Sequence, residues 1–157
     1  MKKLEENDVK KYFEKAIGVA KKSTCKRSKC GAIIVQNEEI IGEGYNSPPL
    51  ELENQRRCFN SKKDYDLKIT DKTCCVHAEE RAIFDALKNN PLKIKNSKLY
   101  FVRLDLNNKI LFAGKPYCTI CSKIALDVGI KEFILFHEEG IFSYETSEYN
   151  NLSFEYK

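Results

Sequence analysis

The segment Cys30-Gly-Ala-Ile-Ile-Val-Gln36, followed by Asn37-Glu38-Glu39 and then Ile40-Ile-Gly-Glu-Gly-Tyr45, predicts a β-hairpin. Both outer runs have the length of a strand, and both contain consecutive β-branched side chains. The three polar residues between them are few enough to form the connecting turn. We therefore expect an antiparallel pair of strands in the first third of the chain.

Helical and strand patterns alternate outward from this hairpin. Upstream, apolar residues recur with a helical period from Val9 to Ala20, which predicts an amphipathic helix. Downstream, the patterns predict a helix over 77–88, a strand over 99–104, a helix over 118–128 and a strand over 132–137. Strands joined through helices are expected to pair in parallel. The sheet is therefore predicted to be mixed, with a final short element from residues 140–157 packed on it.

The composition is typical of one globular domain spanning residues 1–157. Hydrophobic residues make up 42% and charged residues 32% of the chain, which does not favour disorder. The sequence has neither an apolar run long enough for a membrane helix nor an apolar signal-peptide core, so we expect a cytoplasmic protein with no membrane partner. The net charge of +4 is a weaker excess than a dedicated nucleic-acid binder shows.

Two further features remain open from composition and periodicity alone. Residues 46–76 lose periodicity and predict a long insertion, which could hide a short helix. The seven cysteines are an odd number in a chain without an export signal, which does not favour a disulfide framework. Metal binding, catalysis and plain burial all remain possible uses of these thiols.

Two short motifs stand at the starts of two predicted helices: His77-Ala78-Glu79 and Pro116-Tyr-Cys118-Thr-Ile-Cys121. Taken singly, neither motif identifies a function. A lone histidine is usually structural, and a Cys-x-x-Cys pair suits a metal or a redox disulfide equally well. Taken together, one imidazole and two thiolates form a known catalytic zinc set with an open fourth position. Glu79 lies on the same helical turn as His77 and can approach a water there without binding the metal.

With these motifs and the segments Ser23–Val35 and Ile40–Pro48, the chain resembles the cytidine deaminase superfamily, and within it the deoxycytidylate deaminases. The resemblance covers a core of about residues 8–137, with 46–76 as an insertion. It implies a three-layer α/β/α fold with a mixed central sheet. It also implies hydrolytic deamination of a cytosine nucleotide or nucleoside, dCMP or CMP first, to the uracil form with release of ammonia, by a protein that forms a homo-oligomer.

The resemblance implies one catalytic Zn2+ and the residues that serve it. His77, Cys118 and Cys121 would hold the ion. Glu79 would take a proton from water, pass it to the ring nitrogen and help to protonate the leaving ammonia. Because these four residues match the family motif position by position, they are the most specific part of the prediction.

Substrate contacts are also implied by the resemblance. Asn46 would contact the sugar, although a turn residue before Pro48 is an equal explanation, and the Ala78 backbone amide would face the pyrimidine carbonyl. Arg27, with Ser28 nearby, is the candidate for a 5′-phosphate. Both belong to the basic stretch 21–29, which a solvated loop would explain as well.

The chain departs from the family pattern in two places near the second motif. The family usually has Pro immediately before the first Cys, whereas here Tyr117 stands between Pro116 and Cys118. This change is expected to alter the pocket wall without moving the metal ligands. The segment 105–115 also makes an unusually long connection to the second motif.

The insertion carries Cys58, Cys74 and Cys75. With Cys25 or Cys30, these thiols could hold a second, structural zinc, as some deoxycytidylate deaminases do. Buried free thiols are the simpler explanation, and the sequence alone favours them.

Three other functions remain open. A tRNA-editing deaminase of adenosine or cytidine shares the zinc motif, but its substrate would need a basic, aromatic-lined surface. A catalytically silent, zinc-stabilised binding module would have no use for Glu79. A thiol oxidoreductase using Cys118 and Cys121 would gain nothing from His77 and Glu79.

Overall fold

The structure is a computed structural model that describes residues 1–65 and 74–156. Its strands are β1 (Lys2–Leu4), β2 (Lys29–Gln36), β3 (Glu39–Tyr45), β4 (Lys98–Leu104), β5 (Ile110–Leu111), β6 (Glu132–His137) and β7 (Gly140–Glu145). Its helices are α1 (Glu6–Ala20), α2 (Ala78–Asn89), α3 (Thr119–Asp127) and α4 (Thr146–Phe154). The strands form one sheet in the order β1-β7-β6-β4-β2-β3, with β5 paired to β4.

The predicted hairpin is present, and the predicted mixed sheet is confirmed. Strands β2 and β3 pair antiparallel, and the turn residues Asn37 and Glu38 have φ angles of 49° and 64°, the left-handed conformation that matches strand twist in a two-residue turn. Strand β4 pairs antiparallel with β2 and parallel with β6. The parallel pair is the one joined through a helix, as the alternation of patterns predicts.

Two apolar cores lie on opposite faces of the sheet, so the three-layer α/β/α architecture is confirmed. Helix α1 covers one face, where the rings of Phe13 and Tyr100 meet edge-on at 5.7 Å. Helices α2, α3 and α4 cover the other, where Phe133 of β6 stacks on Tyr149 of α4 at 4.2 Å. None of the described helices combines the length and the apolar character needed to cross a membrane.

Helix α2 lies unusually close to β3 because two glycines face it. A Cβ atom at Gly44 would collide with the backbone of Ala78 and Ala82, and one at Gly42 would collide with Ala82 and Ala86. Only residues without a side chain allow this approach. The close packing fixes the first turn of α2, which carries the first motif, against the end of the hairpin.

The two long connections contain little regular structure. Between 46 and 65 the chain forms single 3₁₀ turns at Pro49–Glu51, Glu53–Gln55 and Lys62–Asp64 rather than a short α-helix, and 66–73 lie outside the described residues. The segment 105–115 forms a turn closed by the Asp105 carboxylate and then β5. The expected final element is present as β7 and α4.

Candidate active site

The starts of helices α2 and α3 lie side by side and bring the two motifs together. His77 immediately precedes α2, and Cys118 immediately precedes α3, where its sulfur accepts a hydrogen bond from the Cys121 amide. His77 Nδ1 lies 3.2 Å from Cys121 Sγ and 3.4 Å from Cys118 Sγ. The imidazole and both thiols, which the sequence separates by about 40 residues, therefore form one compact group of donor atoms.

This donor group fits a zinc ion. Zn–N and Zn–S bonds of about 2.0 and 2.3 Å at tetrahedral angles keep neighbouring donor atoms about 3.5 Å apart, and the two separations measured here are close to that value. Thiolate and imidazole are also donors that zinc prefers. Three protein donors leave a fourth tetrahedral position, which is the arrangement of a catalytic rather than a structural site.

The surroundings of Cys118 favour its thiolate form. Hydrogen bonds from the Cys121 thiol and from the His77 imidazole lower the pKa of the Cys118 thiol to about 4, against the opposing effect of burial. The thiolate is the form of cysteine that binds metals. The hydrogen bond between the two cysteines also raises the pKa of the Cys121 thiol, so the protein by itself favours one thiolate in this pair of cysteines.

Two adjacent carboxylates at the start of α2 have different environments. Glu79 is only 7% exposed and lines a cavity beside His77, where burial raises the pKa of its carboxyl to about 7. Glu80 instead accepts a hydrogen bond of 2.8 Å from the His77 backbone amide and so caps the helix. A carboxyl whose pKa is near neutral can both accept and donate a proton at neutral pH, so Glu79 is the acid–base candidate.

The cavity beside Glu79 measures about 160 Å³ and contains the predicted substrate contacts. Asn46 is buried, and its side-chain amide is held by the protein: Oδ1 accepts from the Cys30 amide at 2.7 Å and from Ser23 Oγ at 2.6 Å, and Nδ2 donates to the Ser28 carbonyl at 3.0 Å. An amide nitrogen carries two hydrogens, and the Ser28 carbonyl takes one of them. Asn46 is therefore a structural residue as well as a candidate ligand.

The remaining predicted contacts line the same cavity. Ala78 is the first residue of α2, where backbone amides lack partners within the helix. Arg27 also lines the cavity, with Nε donating to the Cys58 carbonyl at 2.6 Å and a terminal nitrogen donating to the Asn60 carbonyl. The structure adds Arg57, which the sequence analysis missed and which only its basic pair with Arg56 could have suggested.

Comparison with known protein families decides the identity of this site. The family model for the cytidine and deoxycytidylate deaminase zinc-binding region matches residues 6–137. The chain belongs to this family. The match spans both helix N-termini described above, so the resemblance inferred from the motifs is confirmed, together with the expectation of a zinc-binding site.

The chain is similar in sequence to several named proteins. The deoxycytidylate deaminase of Schizosaccharomyces pombe is 30% identical over 128 residues, which cover 78% of this chain and 35% of that protein. The deoxycytidylate deaminase of Mycobacterium phage D29 is 28% identical over 126 residues, covering 76% of this chain and 86% of the phage protein. The chain thus spans about a third of the length of the yeast relatives that it matches.

Solved structures show that the deaminase fold is shared. The dCMP deaminase from the cyanophage S-TIM5, in complex with dCMP and dUMP, has a TM-score of 0.58 at 24% identity and covers 83% of this chain and 81% of its own. The cytidine deaminase from Burkholderia pseudomallei has a TM-score of 0.56 at 15% identity and covers 93% and 96%. The three-layer architecture is therefore that of the cytidine deaminases.

A second group of thiols lines the same cavity as Glu79. The sulfur atoms of Cys25, Cys58 and Cys75 all lie within 4.8 Å of one another. Cys74 Sγ lies 3.3 Å from Cys58 Sγ and 3.7 Å from Cys75 Sγ. Cys30 lines the cavity but is not part of this group among the described residues. The group joins the α1–β2 connection to the middle and to the C-terminal end of the insertion.

Proposed function

We propose that this chain is a zinc-dependent hydrolytic deaminase of a cytosine nucleotide, with dCMP as the first candidate substrate. The observation that carries the proposal is the buried carboxyl of Glu79 in a cavity beside the His77, Cys118 and Cys121 donors. Water would replace the ring amino group, giving dUMP and ammonia. A structural metal site has no use for a buried, uncoordinated carboxyl, whereas hydrolysis of an amino group needs one to move protons.

His77, Cys118 and Cys121 are the residues that would hold the zinc. When bound, the ion supplies a Lewis acid that lowers the pKa of water to about 7. Glu79 performs the proton transfers: its carboxylate takes a proton from the attacking water, delivers it to the cytosine ring nitrogen and then assists protonation of the departing amine. The pKa of about 7 for this carboxyl suits a group that must do both.

The other cavity residues would orient the substrate. The Ala78 amide donates to the pyrimidine carbonyl oxygen, and the second Nδ2 hydrogen of Asn46 donates to the sugar. Arg27 and Arg57 place two guanidinium groups at the cavity, and guanidinium groups match phosphate oxygens in charge and geometry. Together with the names of the curated relatives, these two arginines support a nucleotide rather than a nucleoside.

The alternatives receive less support. The named relatives above are deoxycytidylate deaminases, which does not favour a tRNA-editing enzyme. A catalytically silent binding module would not need the buried carboxyl of Glu79. A thiol oxidoreductase would not need the contacts of His77 with both cysteines.

The decisive experiment measures ammonia release by the zinc-loaded protein on dCMP, CMP, deoxycytidine, cytidine, AMP, guanine and bulk tRNA. We expect turnover of dCMP above the other substrates and a kcat lowered about 10²- to 10⁴-fold by Glu79→Gln, which keeps the shape of the side chain and removes its acid–base function. Activity on tRNA with none on monomers would establish the editing alternative. Silence on all substrates by a zinc-loaded protein would refute the proposal.

We also infer that the second thiol group holds a structural zinc, although the sequence alone favours free thiols. The sulfur atoms of Cys25, Cys58 and Cys75 lie within 4.8 Å of one another, and Cys74 Sγ lies 3.3 Å from Cys58 Sγ and 3.7 Å from Cys75 Sγ. These thiols can supply the four donors of a closed structural site. Metal analysis tests this assignment with Cys118→Ser/Cys121→Ser and Cys58→Ser/Cys75→Ser. We expect about two zinc ions in the wild type and about one in each double variant; no residual metal in the first variant would contradict the second site.

Two further properties are inferred with this function. The homo-oligomer implied by the family resemblance would show as a mass above that of one chain in analytical ultracentrifugation, and a monomer at micromolar concentration would contradict it. The cytoplasmic location is supported by the seven cysteines, all of which are free thiols, because thiols persist in a reducing compartment. Fractionation of expressing cells would test the location.

A further inference from the structure

Tyr117 occupies an exposed position at the cavity that the family motif does not provide. Pro116 and Cys118 on either side of it are buried, whereas the Tyr117 side chain is 55% exposed. It lines the same cavity as Ala78 and Glu79. The extra residue between proline and the first cysteine therefore presents an aromatic ring to the cavity instead of burying it.

A second aromatic residue lines the cavity but is held very differently. Phe101 belongs to the central strand β4 and is only 9% exposed, so it forms a fixed part of the wall. Tyr117 precedes α3 and meets Tyr156, beyond the end of α4, with ring centroids 5.7 Å apart and planes tilted by 50°. This tilted contact supports the Tyr117 ring without covering it, because the residue remains 55% exposed and can contact another flat group.

The substrate class proposed above has such a flat group. A cytosine ring that reaches Glu79 must enter the cavity that Tyr117 lines, and stacking on an aromatic side chain is the strongest contact available to the face of a base. Stacking accepts the ring before and after deamination, because both forms present the same π-face. It therefore contributes to binding rather than to the chemical step.

We infer that the Tyr117 ring stacks on the pyrimidine of the bound nucleotide and that Tyr117 is a substrate-binding residue of this chain. The inference rests on the proposed function, because it assumes that a pyrimidine occupies the cavity. It deepens that function by assigning recognition of the base to a residue outside the family motif. Tyr156 is the positioning residue that limits the swing of the ring.

The test compares Tyr117→Phe, Tyr117→Leu and Tyr117→Ala in steady-state kinetics with dCMP and in competition by dUMP. Base–aromatic stacking contributes enough that its loss should raise KM and the inhibition constant of dUMP about 5- to 100-fold, with kcat changed much less. Tyr117→Phe should retain wild-type constants because the ring, not the hydroxyl, makes the contact. Tyr156→Ala should show a smaller rise, and Phe154→Ala, which removes an exposed ring that does not line the cavity, should show none.

Several outcomes would overturn the inference. Unchanged KM and dUMP inhibition in Tyr117→Ala would show that the ring does not contact the base. Lower zinc content or a fall in kcat alone in that variant would show that Tyr117 only holds Cys118 in place. A wild-type protein without activity on any cytosine substrate would overturn both the proposed function and this inference, whereas an active wild type with unaffected Tyr117 variants would overturn the inference alone.

Discussion

Glu79 and Glu80 are neighbours in sequence with separate roles, and this separation can be measured. Glu79→Gln removes the acid–base group and should lower kcat about 10²- to 10⁴-fold without loss of stability, because the amide fits the same site. Glu80→Ala removes the acceptor for the His77 amide and should lower the free energy of unfolding by about 0.5–2 kcal/mol, with kcat close to that of the wild type. Urea denaturation and initial-rate assays on both variants check the pair.

The comparison between these carboxylates has a clear contrary outcome. Equal losses of kcat in Glu79→Gln and Glu80→Ala would mean that Glu79 has no acid–base role of its own. Both changes would then lower kcat by shifting the first turn of α2. Glu80→Gln provides the matched control, since its side-chain oxygen can still accept the hydrogen bond from His77. It should resemble the wild type in both measurements.

Asn46 illustrates a residue whose structural and functional roles coincide. Asn46→Ala leaves the buried Cys30 amide and the Ser28 carbonyl without their partner, which should cost about 1–3 kcal/mol of stability. The same change should raise KM, because the donor to the sugar is lost. Asn89→Ala removes an exposed amide that donates a hydrogen bond to Asp85 and should stay within about 0.5 kcal/mol of the wild type. A stable Asn46→Ala variant would show that the hydrogen bonds are replaceable.

Packing of α2 against β3 determines the position of His77 and Glu79 in the site. Gly44→Ala directs a methyl group into the backbone of Ala78 and Ala82 and must displace the first turn of α2. Overpacking of this kind costs about 1–3 kcal/mol, and the displacement should also lower kcat because His77 and Glu79 move with the helix. Thermal unfolding and initial rates measure the two effects.

Glycine substitution elsewhere in the chain provides the control for this prediction. Gly18 lies in the interior of α1, and a Cβ atom there would meet nothing within 4 Å. Gly18→Ala should therefore stabilise the protein by about 0.5–1 kcal/mol and leave kcat unchanged. If Gly44→Ala behaved like Gly18→Ala, the close approach of α2 would have no role in forming the site.

The elements that the sequence predicted are those with strong local periodicity. The hairpin, α1, α2, α3, β4 and β6 all have apolar residues in a regular pattern and lie close to their predicted positions. Strand β1 is three residues long and forms only because Lys2–Leu4 pair with β7. Helix α4 is largely polar, and its anchor is the stacking of Tyr149 on Phe133. Such elements depend on tertiary partners that the local sequence does not reveal.

The residues of the site also fall into those that the local sequence predicts and those that depend on tertiary contacts. His77, Glu79 and the two cysteines could be predicted because each motif is short and lies at a helix start. Arg57 and Tyr156 reach the cavity region only through folding of the insertion and of the segment after α4. The sequence alone therefore predicts the chemistry of the site better than the contacts that select its substrate.

At the scale of the whole molecule, the proposed zinc joins two helices that start far apart in the sequence. A metal that binds the folded chain and not the unfolded one stabilises the fold by about 4 kcal/mol at a thousandfold excess over its dissociation constant. For a chain of this length, removal of the ion by a chelator should lower Tm by about 8–16 °C, and restored zinc should recover it. Calorimetry with and without chelator measures the shift.

The variant Cys118→Ser/Cys121→Ser should lose the part of the Tm shift that belongs to the catalytic site. An unchanged Tm after verified removal of metal from the wild type would show that the donor group is held together by the fold alone.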